Sequence, residues 1–133
     1  MNSLLSASLL LVEDMEEMRN IVRRLLGAMG FTNITLARNG EEAWRLIQAQ
    51  SFDLVLCDWN MPKMSGRELL ERVRQEPAYA LLPFIMITGE NAQSFVKSAI
   101  DGGVTDFILK PFTAALLEQR VHHALGLPPV PNP

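Results

Sequence analysis

The sequence predicts an α/β domain: five short strands alternating with five helices, the strands forming one parallel sheet. Three observations carry this. Apolar runs of four or five residues recur along the chain, each bounded by polar or turn-forming residues. Between them, apolar residues repeat at the three- and four-residue spacing of amphipathic helices. The strand runs are apolar at consecutive positions rather than at alternate ones, as happens when helices cover both faces of a sheet.

The elements follow in order. Ser8 to Val12 is a continuous apolar run that ends at Glu13-Asp14. Met15, Met18, Ile21, Val22, Leu25, Leu26 and Met29 mark the first helix, with Gly30 as its stop. Asn33 to Ala37 is a second strand, ended by Asn39-Gly40, and Ala43, Leu46, Ile47 and Ala49 mark the second helix. Asp53 to Cys57 is the third strand, Trp59 to Gly66 a loop containing Pro62, and Glu68 to Arg74 a third helix. Phe84 to Thr88 is the fourth strand; Phe95, Val96, Ala99 and Ile100 form a fourth helical face stopped by Gly102-Gly103. Asp106 to Leu109 is the fifth strand, and Thr113 to Leu125 the fifth helix, with Leu117, Val121 and Ala124 on one face. Gly126 ends it, and Pro128, Pro129, Pro131 and Pro133 preclude further regular structure. The expected organisation is a leader (1–7), one folded domain (8–126) and a proline-rich tail (127–133). Each crossover is expected to be right-handed. Periodicity alone leaves several strand orders open.

Composition narrows the function classes. The chain has 133 residues, 48% hydrophobic and 20% charged, enough to bury a core as a single domain. Twelve basic against 15 acidic residues, a net charge of −3, argue against a nucleic-acid surface. One cysteine, Cys57, excludes an internal disulfide and a cysteine-built zinc site, and points to a reducing compartment, the cytoplasm. The N-terminus lacks the basic region of a signal peptide, and no apolar run approaches the ~20 residues that span a bilayer, so no membrane insertion is expected.

Reactive groups collect where strands end. Glu13 and Asp14 follow the first strand, Asp58 the third, Thr88 closes the fourth and Lys110 follows the fifth. Open α/β sheets bind ligands outside the carboxyl ends of their strands. The second strand delivers only Arg38 and Asn39, which places it at the sheet edge. Carboxylates brought together repel, and protonation or a cation must offset that. Oxygen donors without histidine or thiol favour a hard ion, Mg²⁺. Carboxylates, Mg²⁺, a lysine point charge and a hydroxyl suit phosphoryl transfer, with a carboxylate nucleophile giving an aspartyl phosphate.

Glu13-Asp14, CDWNMPKMSG at 57–66, MITGE at 86–90 and FILKPF at 107–112 together resemble the receiver domain of bacterial response regulators. The resemblance runs from about Ser8 to Leu125, and DWNMP and KPFTAALLEQ are similar to the chemotaxis type. It implies a flavodoxin-like, doubly wound (βα)5 domain with strand order 2-1-3-4-5. It implies Asp58 as phosphoacceptor, and Asp14, Asp58 and the backbone carbonyl of Asn60 as the Mg²⁺ shell, with Glu13 reaching the metal through water. Lys110 is implied as the phosphoryl-pairing lysine, Thr88 as the hydroxyl that closes onto the phosphoryl group, and Phe107 as the switch aromatic. Asn60 and Glu90 stand where the family tunes hydrolysis, and Lys110-Pro111 where its peptide bond is cis. The implied protein is a stand-alone, non-enzymatic switch that assists its own phosphorylation and dephosphorylation. Its donor is a histidine kinase or histidine-phosphotransfer protein, and its effector binds the face of helix four, strand five and helix five. Three departures stand out. Glu13 replaces the aspartate of the chemotaxis pattern, Phe107 replaces a tyrosine, and Gly89, where alanine is common, loosens the loop after Thr88.

Other readings compete. A phosphorelay intermediate, a phosphate sink or a receiver excised from a larger regulator fits the same residues. A haloacid-dehalogenase-type phosphatase wants an aspartate where Asn60 stands, and a flavodoxin-like cofactor binder would meet repulsion at Glu13-Asp14. Singly, Asp14 also reads as a helix cap, and Glu16 and Glu17 as first-turn acids. Trp59 reads as a packing residue at the pocket rim, Trp44 as one bridging surface and core, and Cys57 as a small buried hydrophobe. Met15, Met18 and Met29 read as core, and His122 and His123, being adjacent, as ordinary helix residues. Arg19, Arg23 and Arg24 read equally as a solvated face or as contacts to a phosphodonor.

Overall fold

The computed structural model describes residues 6–59, 61, 63–89, 97 and 100–128. Its strands are β1 (Ser8–Val12), β2 (Asn33–Ala37), β3 (Leu54–Asp58), β4 (Phe84–Thr88) and β5 (Asp106–Leu109). Its helices are α1 (Glu16–Ala28), α2 (Gly40–Ala49), α3 (Gly66–Gln75) and a C-terminal α4 (Ala114–Leu125), with a 3-10 turn over Pro77–Tyr79. The sheet is parallel throughout, in the order β2-β1-β3-β4-β5. The flavodoxin-like order is therefore present, with β2 at the edge as its weak set of reactive residues implied. Of the fourth predicted helix, Phe95, Val96 and Ala99 lie outside the described residues, while Lys97, Ile100 and Asp101 are helical.

The pleat explains the continuous apolar strands. Along β1, Leu10 and Val12 enter one core layer with Ala43, Ile47, Leu69, Leu70 and Val73 of α2 and α3. Leu9 and Leu11 enter the other, with Val22 and Leu26 of α1 and Leu117 and Val121 of α4. Each fully buried leucine, isoleucine or valine among them contributes about 1.5–3 kcal/mol of burial. Cys57 is fully buried in the first layer, and Met18 and Met29 pack against the second, as expected.

Local signals set the helix ends. Asn39 Oδ1 accepts from Glu42 N at 2.9 Å, and Thr113 Oγ1 from Leu116 N at 3.1 Å. Ser65 and Glu68 form a reciprocal capping box, so α3 begins two residues earlier than its apolar spacing suggests. Gly126 takes a left-handed conformation (φ 71°) that ends α4.

Three expectations need correction. β3 starts at Leu54 and includes Asp58: just ahead of it Asp53 N still donates to Ser8 O at 2.7 Å, but the Ser8 N–H goes to the Asp53 carboxylate at 2.7 Å rather than to a strand carbonyl. Asp14 does not cap α1: Met15 holds the cap position with no side-chain cap, and Glu13 Oε2 accepts the Met15 N–H at 3.2 Å instead. Met15 is 59% exposed rather than core, since it precedes the helix and points away from the apolar stripe begun by Met18. Among the described residues, no helix is long and apolar enough to cross a membrane.

Candidate functional site

Strand register assembles the site. Val12 pairs with Cys57, Asp58 with Ile87 and Thr88 with Leu109, so Glu13, Asp58 and Lys110 arrive side by side at the carboxyl edge. The ladder continues past the strand ends: Glu13 N donates to Ala37 O (3.0 Å), Trp59 N to Ile87 O (3.0 Å) and Lys110 N to Thr88 O (2.7 Å). These bonds carry the ladder on to the Glu13 and Lys110 backbones and to the residue after Asp58.

Lys110 Nζ lies 3.3 Å from Glu13 Oε1 and 3.6 Å from Asp58 Oδ1. Carboxylate oxygens of Glu13, Asp14 and Asp58 lie within 4.8 Å of one another. Glu13 and Asp58 are buried and Asp14 is exposed. The Lys110-Pro111 bond is cis, as the resemblance implied. Thr88 is fully buried, and Phe107 packs half-buried against the α2–α3 core layer. Pleat parity puts Thr88 on the same sheet face as Phe107 of the neighbouring strand, whereas Glu13, Asp58 and Lys110 follow the parity of the α1–α4 layer. Asn60 and Glu90 lie outside the described residues.

Burial, and then the neighbouring Asp58 carboxylate, push Glu13 up to about 7 from an ordinary 4.5, with Lys110 opposing the rise. Burial also raises the Cys57 thiol well above its usual range, so it is an inert thiol whose Sγ contacts Asp58 O at 3.2 Å.

The donor set fits a hard divalent cation: three clustered carboxylates, no imidazole, and a thiol turned into the core. Lys110 and the Met15 N–H engage the two Glu13 oxygens, and Lys110 also pairs with Asp58.

Sequence reasoning missed the role of Gly66. A Cβ there would collide with the Asp58 carbonyl oxygen and come within 2.9 Å of Met86 Sδ and 3.0 Å of Trp59 Cα. Gly66 N donates to Trp59 O at 2.9 Å, so α3 starts directly against the backbone of the phosphoacceptor candidate. The available signal was a glycine one residue after Ser65, at the start of a capping box. Lys63, in the same loop, is a non-glycine residue at φ 70°. The three arginines of α1 also separate: Arg23 and Arg24 are exposed, while half-buried Arg19 donates from Nη1 to Glu13 O at 2.9 Å. A groove of about 830 Å³ lies at the opposite end of the sheet, lined by Phe52, Asp53, Tyr79, Leu82 and Leu127. Its volume does not make it the reactive centre, because the clustered charges sit at the other edge.

Fold and site define a doubly wound α/β domain with an acidic, lysine-bridged carboxyl edge. The chain belongs to the response regulator receiver domain family, whose sequence model matches residues 9–122. It is 38% identical over 119 residues to a chemotaxis protein CheY homolog of Campylobacter jejuni, covering 89% of this chain and 92% of that protein. Its structure is similar to that of the chemotaxis protein CheY4 of Vibrio cholerae (TM-score 0.83, 30% identity, 90% of this chain and 98% of that one). It is also similar to the receiver domain of a sensor histidine kinase from Pseudomonas aeruginosa, solved with a magnesium ion in its active-site cleft (TM-score 0.84, 26% identity, 91% and 98% coverage). The chain is a CheY-like receiver.

Proposed function

We propose that this receiver accepts a phosphoryl group on Asp58 from the phosphohistidine of a histidine kinase or histidine-phosphotransfer protein, and so switches partner binding in chemotaxis-type two-component signalling. The observation that carries the reading is the Lys110 ammonium 3.6 Å from Asp58 Oδ1, within a cluster of three carboxylates.

An Asp58 carboxylate oxygen attacks phosphorus in line, the P–N bond to the donor histidine breaks, and its electron pair returns to the imidazole. Asp14, Asp58 and the Asn60 carbonyl would hold Mg²⁺, with Glu13 acting through water; bound there, the ion supplies charge neutralisation of the phosphoryl oxygens. Lys110 transfers its ion pair from the Asp58 carboxylate to the phosphoryl group. Thr88 donates its hydroxyl to a phosphoryl oxygen, and Phe107, on the same sheet face, moves into the space behind it. The face formed by the fourth helical segment, β5 and α4 then changes population toward the effector-binding state; support comes from Ile100 of that segment, an apolar side chain 58% exposed. Water later attacks the aspartyl phosphate, at a rate set by the side chains at Asn60 and Glu90, and the carboxylate returns. The domain acts only on its own Asp58 and is not an enzyme toward other substrates. The buried, unpaired Cys57 agrees with a cytoplasmic location.

The similarity to a kinase-borne receiver favours a second reading, a relay intermediate or phosphate sink without an effector. Incubation with Mg²⁺ and acetyl phosphate tests the shared step: intact-protein mass spectrometry should show one added phosphoryl group, absent in Asp58→Asn. Pull-downs with the Mg²⁺–beryllofluoride form and with Asp58→Asn separate the readings. An effector captured only by the activated form supports the switch. Equal recovery of kinases and phosphotransfer proteins alone supports the relay.

A further inference from the structure

Glu13, Asp14 and Met15 form the turn that carries two of the three clustered carboxylates, and the Arg19 side chain reaches back to its start. Arg19 Nη1 donates to the Glu13 carbonyl at 2.9 Å, while Arg19 N makes the ordinary first-turn helix bond to the Met15 carbonyl at 2.9 Å. Met15 at the α1 cap position has no side-chain cap, so besides the Arg19 bond the turn is held by Glu13 N on Ala37 O at 3.0 Å and by the Met15 N–H on Glu13 Oε2 at 3.2 Å. Like charges within 4.8 Å push this turn and Asp58 apart. The Arg19 guanidinium resists that displacement through its charge-assisted bond to the Glu13 carbonyl.

We propose that Arg19 is a positioning residue for the divalent-cation site: it fixes the β1–α1 turn so that Asp14 meets Asp58 at ligand spacing. This rests on the metal-site reading above. Arg23 and Arg24, one helical turn further on and exposed, lie outside this role.

The test is a Mg²⁺ titration by calorimetry on the full chain, with Arg19→Met, Arg19→Lys and Arg23→Met, each also measured for thermal midpoint. Arg19→Met should weaken Mg²⁺ binding by about 10-fold, as loss of a partner that orients a metal ligand does. The acetyl-phosphate reaction rate at saturating Mg²⁺ should stay within about twofold, because Arg19 acts on ligand placement and not on the reacting atoms. Arg19→Lys, which keeps a cationic donor, should recover most of the affinity, and Arg23→Met should bind as the parent does. Equal affinities for Arg19→Met and Arg23→Met would overturn the proposal, as would loss of saturated rate in step with the thermal midpoint. If Arg19→Met does not fold, Arg19→Lys and Arg19→Gln decide the matter, with Gln expected to be the weaker binder. A parent chain that binds no Mg²⁺, or an Asp58→Asn variant that binds it equally well, would sink the site reading itself and this inference with it.

Discussion

Glu13 and Lys110 stand 97 positions apart in the chain and 3.3 Å apart in the fold. Their meeting is a product of register: β1 and β5 never touch, yet each is aligned through β3 and β4 so that both end at the same edge. Lys110 therefore bridges two carboxylates from different strands.

The raised Glu13 carboxyl sets a pH dependence with a definite sign. In the unfolded chain the group loses its proton near 4.5, in the fold near 7. Between those values the folded state binds the extra proton, so its stabilising share is complete below 4.5 and fades as pH rises through 7. The cost at pH 8 is on the order of 3 kcal/mol in metal-free protein. Urea denaturation across pH 4.5 to 8 in a chelator should show this decline, and Glu13→Gln should flatten it. Mg²⁺ should raise the thermal midpoint more at pH 8 than at pH 5, because it favours the ionised cluster.

Gly66→Ala should destabilise the fold by about 2 kcal/mol, since its Cβ meets backbone that cannot yield cheaply. The same substitution displaces Asp58, so the acetyl-phosphate reaction should slow even in the folded fraction. Gly27→Ala is the contrast: nothing lies within 4 Å of its Cβ, and a helical alanine should stabilise by about 0.5 kcal/mol. Denaturant midpoints for the two variants, moving in opposite directions, check both.

Lys63 at φ 70° carries backbone strain that glycine would not. Lys63→Gly should stabilise the chain by about 0.5–1 kcal/mol, the relief of strain exceeding the added freedom of the unfolded state. A lower chemical-denaturation midpoint for the variant would contradict the geometry.

Thr88→Ala separates acceptance of the phosphoryl group from its consequence. Asp58 and Lys110 remain in place, so acetyl phosphate should still label the protein. The hydroxyl proposed to link the phosphoryl oxygens to the Phe107 side of the sheet is gone, so effector capture by the beryllofluoride form should be lost. Undiminished capture would disprove the coupling.

Much of this was legible along the chain. Ser8–Val12, Asn33–Ala37, Phe84–Thr88 and Asp106–Leu109 appear as strands with the bounds their apolar runs suggest; β4, covered on both faces, is buried at every position, whereas the edge strand β2 is exposed at Asn33. The residues at their carboxyl ends named the candidate site for the same reason: water-seeking groups are tolerated only where burial stops. The cap of α3 was also written in the order Ser65, Gly66, Arg67, Glu68, although apolar spacing alone started that helix late.

What the sequence by itself determined was therefore the set of elements and the residues at their ends, since propensity, periodicity and capping act over a few neighbouring positions. Only the tertiary structure decided the sharing of Lys110 between Glu13 and Asp58, the contact of Gly66 with the Asp58 backbone and the grip of Arg19 on the Glu13 carbonyl; the strand order, which periodicity left open, was implied only by the family resemblance. The strand order and the first two contacts depend on which distant strands and loops lie side by side. The Arg19 contact, though local, depends on the direction in which α1 leaves the sheet. Packing of the two core layers sets those relations, and no local pattern encodes them.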